Sequence, residues 1–332
     1  MKRILITGGA GFIGFHLCKK FINEGYKVDL VDNLGRGMID FDLKYLLKNK
    51  NVNFIKSDLL NLNLKNWSTN YDKVFHLAAI IGVKHVNKNP YNVLTQNIHL
   101  LDSAIKIALK QKKLSKFIFF STSEVYAGTL KYYGLKIPTP ENTHLTVGDL
   151  YSDRTSYMLS KIYGELMCNI SKNLPHINIR PHNFYGPRMG FSHVIPELMQ
   201  KFHKYKKGSI KIISHNHKRA FCYISEAVDM VYQLSISNKT LQKTYNIGSN
   251  EKSITIFELA KKISKLMKKK IKFAKSVIEE GSPSNRQPDI KKIRKIIKPY
   301  TKFNLEDGLS ETYNWYYKNI FIKKQKTFIW YP

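Results

Sequence analysis

Short apolar runs recur through the first part of the chain: KRILIT, YKVDLV, VNFIK, KVFHLA, KFIFFST and HINIRP. Each is too short for a stable helix and rich in branched or aromatic residues, so each predicts a buried strand. Between them, residues 12–24, 91–110 and 155–172 carry apolar positions at helical spacing. Strands that alternate with helices predict a parallel sheet covered on both faces, an α/β Rossmann-type doubly wound sheet whose ligands bind beyond the carboxyl ends of the strands. After about residue 183 the alternation loosens, with helices expected near 195–207, 255–268 and 305–317. The pattern predicts a dinucleotide-type domain over 1–182 with a return segment near 222–248. A smaller C-terminal substrate lobe is expected over 183–221 and 249–332.

The first strand runs into GGAGFIG, which places Gly8, Gly9, Gly11 and Gly14 at a strand-to-helix turn. Backbone this bare lets a pyrophosphate approach the main chain, where unpaired N–H groups and the positive helix end attract it. The spacing reads either as Gly8-x-x-Gly11-x-x-Gly14 or as Gly9-x-Gly11-x-x-Gly14. A second strand ends in Asp32, eighteen residues after Gly14. A carboxylate there accepts hydrogen bonds from a ribose diol and repels a 2′-phosphate, which predicts NAD rather than NADP.

A formal charge of +31 would ordinarily suggest nucleic acid. The lysines, however, are spread over the whole chain rather than gathered into a stripe, as a lysine-biased proteome also produces. Only eight of the 55 basic residues are arginine, and five of these (Arg154, Arg180, Arg188, Arg219 and Arg286) fall in or beside motifs. Arginine's fixed fork binds phosphate and carboxylate bidentately. No nucleic-acid partner is therefore expected. No apolar run reaches the length of a membrane span, and ILIT is too short for a signal-peptide core, so a soluble cytoplasmic protein with no membrane partner is expected. Cys18, Cys168 and Cys222 are widely spaced with no C-x-x-C pair, which predicts neither disulfides nor a metal site.

The fifth strand is followed by STSEVYA, and further on comes RTSYMLSKIYGE, with Tyr157 and Lys161 on one helix face. An ammonium beside a phenol lowers the phenol's pKa, so a tyrosinate could take a proton from an alcohol while a nicotinamide accepts the hydride. The order of glycine turn, Asp32, Asp58, HLAA at 76–79, STSEVY at 121–126, Tyr157/Lys161 and NFYGPR at 183–188 resembles the extended short-chain dehydrogenase/reductase family. More closely, it resembles the NAD-dependent nucleotide-sugar epimerases and dehydratases. That resemblance implies that Gly8, Gly11, Phe12, Ile13 and Gly14 lie along the pyrophosphate, with Asp32 and Asn33 at the adenosine ribose. Asp58 and Leu59 would meet the adenine, and Ala78 and Ala79 would complete the cofactor wall. Tyr157 would act as base for oxidation at sugar C4, Thr122 would bond the reacting oxygen, and Lys161 would also hold the nicotinamide ribose. Asn183, Arg188, Arg219 and Arg286 would contact a UDP-, GDP- or dTDP-linked sugar. The family further implies a homodimer through helix 155–172, whose Ile162, Leu166 and Ile170 form an apolar stripe, and a role in bacterial surface polysaccharide biosynthesis.

Dehydratases of the family typically read Thr-Asp-Glu, whereas this chain reads Thr122-Ser123-Glu124 and lacks the acid that expels the C6 hydroxyl. UDP-glucuronate decarboxylases commonly read Thr-Ser-Glu-Val-Tyr and share an RQPD-like segment, although HLAAIIGVKHV and RPHNFYGPRMGFSHVIPE depart from their wording. Glu124 is a catalytic candidate or a brace for its turn. The expectation is NAD-dependent oxidation at C4 with net 4-epimerisation. A 4-dehydrogenase releasing the ketosugar, a decarboxylase and a 4,6-dehydratase are the alternatives.

Overall fold

The six apolar runs pair side by side and a seventh strand joins them, all parallel. The computed structural model describes residues 1–275, 284–298 and 303–322. The strands are β1 (Arg3–Thr7), β2 (Lys27–Asp32), β3 (Val52–Lys56), β4 (Lys73–His76), β5 (Lys116–Phe120), β6 (His176–Pro181) and β7 (Lys243–Ile247). Their spatial order is β3-β2-β1-β4-β5-β6-β7. Chain order reverses between β1 and β4, and a crevice opens at such a switch point beyond the carboxyl ends. Thr7 is level with Val31 on one side and His76 on the other, so the ends of β2, β1 and β4 form one rim.

Alternate side chains of the central strands enter different cores, because successive Cβ atoms of a strand point to opposite faces. Ile4, Ile6 and Phe75 join a cluster with Phe15, Leu17 and Phe21 of α1 (Phe12–Asn23). Leu5, Val74 and Phe117 join the opposite cluster with Leu101 and Ala104 of α2 (Pro90–Leu109) and Cys168 of α3 (Arg154–Ile170). A sheet buried on both faces explains why its strands read as continuous apolar runs. Pro90 opens α2 at a position whose N–H has no helical partner.

The rest of the chain supplies α4 (Val194–Lys204), α5 (Ile224–Ile236), α6 (Ile256–Leu266) and α7 (Leu305–Tyr316). Of these, α5 packs on α1 and is followed by β7, which pairs with β6. Thr255 and Glu258 close a capping box at the start of α6. Two-residue strands tie the far part of the chain together: Lys218–Arg219 lies between Ile254–Thr255 and Asn285–Arg286. In that pairing Arg219 and Arg286 are register partners, so two arginines 67 positions apart in the chain stand side by side.

Among the described residues no helix is long and apolar enough to cross a membrane. No group of three or more His, Cys, Asp or Glu among them is placed to hold a metal ion.

Candidate active site

The cleft at the rim of β2, β1 and β4 has a volume of about 740 Å³. Its floor is the glycine turn. Gly8 has φ +69°, and a Cβ there would meet the Ala78 nitrogen at 2.9 Å. A Cβ on Gly14 would lie 2.6 Å from the Gly8 carbonyl oxygen, so α1 can approach the turn only without a side chain at this position. Gly11 is the N-cap residue of α1 and offers no side-chain cap, which leaves the helix's first N–H groups to the cleft. Phe12 and Ile13 line the same wall.

Asp32 ends β2 with both oxygens engaged: Ala10 N–H donates at 3.0 Å and Leu34 N–H at 2.8 Å. Burial pushes its carboxyl upward, and those backbone donors and Arg36 pull it back in part. Asn33 donates to Asp58 at 3.1 Å, and Asp58 in turn caps the turn at Leu60. Leu59, Ala78 and Ala79 complete this half of the lining. A turn with no room for a Cβ, an open helix terminus and a fixed carboxylate at the end of β2 fit a dinucleotide.

At the other half of the cleft, the first turns of α3 meet the end of β5. The Tyr157 hydroxyl faces the Thr122 hydroxyl, which favours the ionised phenol. The same Thr122 oxygen accepts from the Glu124 N–H at 3.2 Å, which fixes the threonine as the cap of the Ser123–Tyr126 turn. Lys161 is buried, donates to the Phe120 carbonyl at 2.9 Å, and lies 5.9 Å from the Tyr157 ring centroid. Burial pulls Lys161 down to about 8. Burial also pushes Tyr157 up to about 12; the Thr122 hydroxyl, Arg36 and Arg286 lower it, while Glu124 raises it. The expectation that Lys161 depresses the phenol is corrected here. Desolvation outweighs every local charge, and the ammonium is aimed at a backbone carbonyl.

Glu124 sits beside this pair. Its Oε1 accepts from Arg286 Nη2 at 2.6 Å, and Arg154 Nη2 stands 3.9 Å away. Burial alone would raise its carboxyl, but the neighbouring guanidinium groups outweigh burial and hold it below the usual range. Glu124 is therefore an ion-paired carboxylate in the cleft wall as well as part of the capped turn. Arg219 is buried next to Arg286, and burial together with that neighbour pulls it down to about 9. Asn183 lines the cleft and donates to the Ala220 carbonyl at 3.1 Å.

Arg188 departs from expectation. It is fully buried outside the cleft lining, its Nε 2.6 Å from Asp40 and its guanidinium 4.1 Å from the Phe15 ring centroid. The NFYGPR segment folds down on α1, where His16 bonds the Pro187 carbonyl at 3.0 Å, and this turns Arg188 into the junction behind the cleft. The expected sugar-nucleotide contact is thus replaced by a structural ion pair. Conversely, Arg36, His85, His193 and Phe221 line the cleft without having been singled out by the sequence. The available signal for Arg36 was its place four residues after Asp32 between two glycines, a signal submerged in a strongly basic composition.

Behind the reacting end runs a buried polar network. Arg180 forks onto Glu165 at 2.7 and 2.8 Å and donates to the Tyr126 hydroxyl at 2.7 Å. Ser121 donates to Glu165 at 2.6 Å, and Tyr126 to Asn246 at 2.9 Å. These bonds fasten the turn carrying Thr122 and Glu124 to α3, β6 and β7.

A family model described as the NAD dependent epimerase/dehydratase family matches residues 4–248. The chain is 33% identical to a UDP-N-acetyl-alpha-D-glucosaminuronate decarboxylase of Bacillus cytotoxicus, over 95% of this chain and 98% of that one. Among solved structures, UDP-glucuronic acid 4-epimerase from Bacillus cereus, in complex with UDP-glucuronic acid and NAD, superposes with a TM-score of 0.83. Its identity is 27%, over 95% of this chain and 99% of the other. UDP-glucose 4-epimerase from Thermotoga maritima, solved with UDP-glucose, gives a TM-score of 0.82 at 26% identity, over 95% and 99%.

Proposed function

Because the chain belongs to the NAD dependent epimerase/dehydratase family, we propose that it oxidises a UDP-linked sugar at C4 and that its net reaction is decarboxylation of a hexuronate. The observation that carries the reading is the meeting of Tyr157, Thr122, Lys161 and the Glu124–Arg286 pair at one end of the cleft. NAD, when bound, supplies the hydride acceptor and a positively charged ring that favours a nearby phenolate. Tyr157 takes the proton of the C4 hydroxyl, and Thr122 holds that oxygen. Both groups are partly shielded in the cleft wall and held by the elements that carry them, so the proton passes between fixed partners.

A ketone at C4 makes the C6 carboxylate of a hexuronate a β-keto acid. The C5–C6 bond then breaks, its electron pair enters the C4 carbonyl, and carbon dioxide leaves. C5 takes a proton from solvent, and return of the hydride to C4 closes the cycle. Sequence alone put 4-epimerisation first. Arg286 of NRQPD lies 2.6 Å from Glu124 of STSEVY, which joins the two decarboxylase-like segments in one wall, and this moves decarboxylation ahead. The decarboxylase relative at 33% identity supports the same order. The second reading is 4-epimerisation, favoured by the two 4-epimerase structures that align over 95% of the chain.

The reading carries with it a cytoplasmic enzyme of surface-polysaccharide synthesis, working as a homodimer. Its test is a panel of UDP-, GDP- and dTDP-sugars that includes UDP-glucuronate and UDP-N-acetylglucosaminuronate, followed by mass spectrometry and proton spectra. Loss of carbon dioxide from a UDP-uronate is expected. Unchanged mass with a moved C4 proton signal gives the reaction to epimerisation, loss of water to dehydration, and loss of two hydrogens to a dehydrogenase. Absence of any NADH signal with every sugar would sink C4 oxidation itself.

A further inference from the structure

The rim of the cleft carries a guanidinium that is bonded to none of the reacting groups. Arg36 leaves the chain four residues beyond β2 and reaches toward Gly82, beyond β4, where its Nη2 lies 3.9 Å from the position a Cβ on Gly82 would take. β2 and β4 flank β1, and their ends are level with Thr7. A Cβ on Gly37, next in the chain, would lie 2.7 Å from the Ala10 Cβ, so the side chain that spans from one loop to the other leaves the backbone beside the glycine turn. Among the described residues, Arg36 makes no hydrogen bond and no ion pair.

The groups that face it are Asp32, Tyr157, His85 and His193. Asp32 is already held by the Ala10 and Leu34 N–H groups. Arg36 lowers the proton affinity of both imidazoles, which supply no counter-charge, and burial in the cleft pulls the Arg36 guanidinium down. A cation kept in such a place without a close counter-charge is costly unless an anion arrives.

We propose that Arg36 is a cofactor-positioning residue that closes over the glycine turn and grips the pyrophosphate of the dinucleotide from the side opposite the α1 N-terminus. The proposal rests on the dinucleotide reading of this cleft. A pyrophosphate carries two negative charges and lies where the turn's bare backbone meets the helix terminus. Arginine's fork suits its oxygens bidentately, whereas lysine offers only a point charge. The diphosphate of a sugar nucleotide is a separate anion, expected at Arg219 and Arg286.

The test is calorimetry on wild-type protein, Arg36→Gln and Arg36→Lys, each freed of bound nucleotide and titrated with NAD⁺, ADP-ribose, adenosine, NADP⁺ and UDP. A companion measurement is the nucleotide released when each protein, as purified, is denatured. Loss of a charge-assisted hydrogen bond predicts roughly 10- to 100-fold weaker binding of NAD⁺ and ADP-ribose by Arg36→Gln. Arg36→Lys should fall between, adenosine and UDP should bind as in wild type, and less nucleotide should be released from the purified Gln variant. Equal NAD⁺ affinity would overturn the proposal, as would a loss confined to NADP⁺, which marks a 2′-phosphate contact. A loss confined to UDP, or an equal loss for adenosine, would overturn it too. Wild-type protein that binds no dinucleotide overturns the reading of the cleft and the proposal with it.

Discussion

Lys161 is buried and Tyr157 half-buried in the cleft wall, and loss of solvent moves them in opposite directions: the phenol up to about 12, the ammonium down to about 8. Each is thereby pushed toward its neutral form, and the tyrosine depends on Thr122 and on the cations of the cleft for its ionisation. Tyr157→Phe removes only the ionisable oxygen. It should slow NADH formation on mixing with substrate by about 10²- to 10⁴-fold, while calorimetric substrate affinity stays within a few-fold of wild type. Near-normal NADH formation would exclude Tyr157 as the base. For Lys161 the pKa shift is also a statement about stability. The unfolded chain keeps the proton up to the ordinary range near 10.5, whereas the folded chain releases it near 8. Stability is therefore depressed in full below pH 8 and recovers as pH rises toward 10.5, where the unfolded state binds more protons than the native one. Lys161→Met should raise the unfolding free energy at pH 7 by up to about 3 kcal/mol, and the gap should narrow by pH 9.5. Urea titrations at the two pH values check the sign, and a gap that widens with pH would contradict it.

At the scale of elements, α3 has two working faces. Lys161 and Cys168 are buried toward the sheet and α2, and the first turns carry Tyr157 to the cleft. The other face leaves Tyr163 49%, Leu166 51% and Ile170 67% exposed, while Ile162 is partly buried. The stripe read from the sequence is thus not consumed by the protein's own sheet. Neighbouring α2 adds Tyr91, which is also exposed. Two such helix pairs can bury these residues against each other, and a charge placed in their centre leaves an unpaired buried ion. Light scattering at micromolar concentration should report a dimer for wild type and a monomer for Leu166→Glu/Ile170→Glu, with unchanged far-ultraviolet dichroism. Wild-type protein that is already monomeric would remove the dimer. The long elements were legible because each repeats its period several times. The two-residue strands at Lys218–Arg219 and Asn285–Arg286 were not, since pairing with distant chain defines them and two residues carry no period.

At the scale of the molecule, a charge of +31 and a sheet buried on both faces answer different questions. Apart from the buried Lys73, Lys116 and Lys161, the described lysines reach solvent and bear on solubility and weak anion attraction, not on fold. The arginines are the informative cations, and the fold sorts them. Arg180 holds the network behind the reacting end, Arg188 locks a loop to α1, and Arg154 and Arg286 stand at Glu124. A motif alone could not separate Arg188 from Arg286, because both are arginines in loops beside cleft residues. What separates them is the partner each meets: Asp40, 148 residues earlier in sequence, or Glu124, 162 residues earlier.

The sequence by itself determined the six strands before residue 182, the alternation that makes their sheet parallel, the glycine turn, Asp32 and the Tyr157/Lys161 spacing. All are local, because strand and helix periods, turn chemistry and short spacings are written within a few consecutive residues. Only the tertiary structure decided that Arg188 is a brace, that Arg219 and Arg286 are neighbours, that Arg286 meets Glu124 and that Arg36 reaches Gly82 across the cleft rim. The ionisation of Tyr157 belongs to the same group. Each of these depends on which distant side chain comes within a few ångströms and on how much water is excluded when it does. Neither quantity exists until the chain is folded, and both decide how strongly charges act on one another.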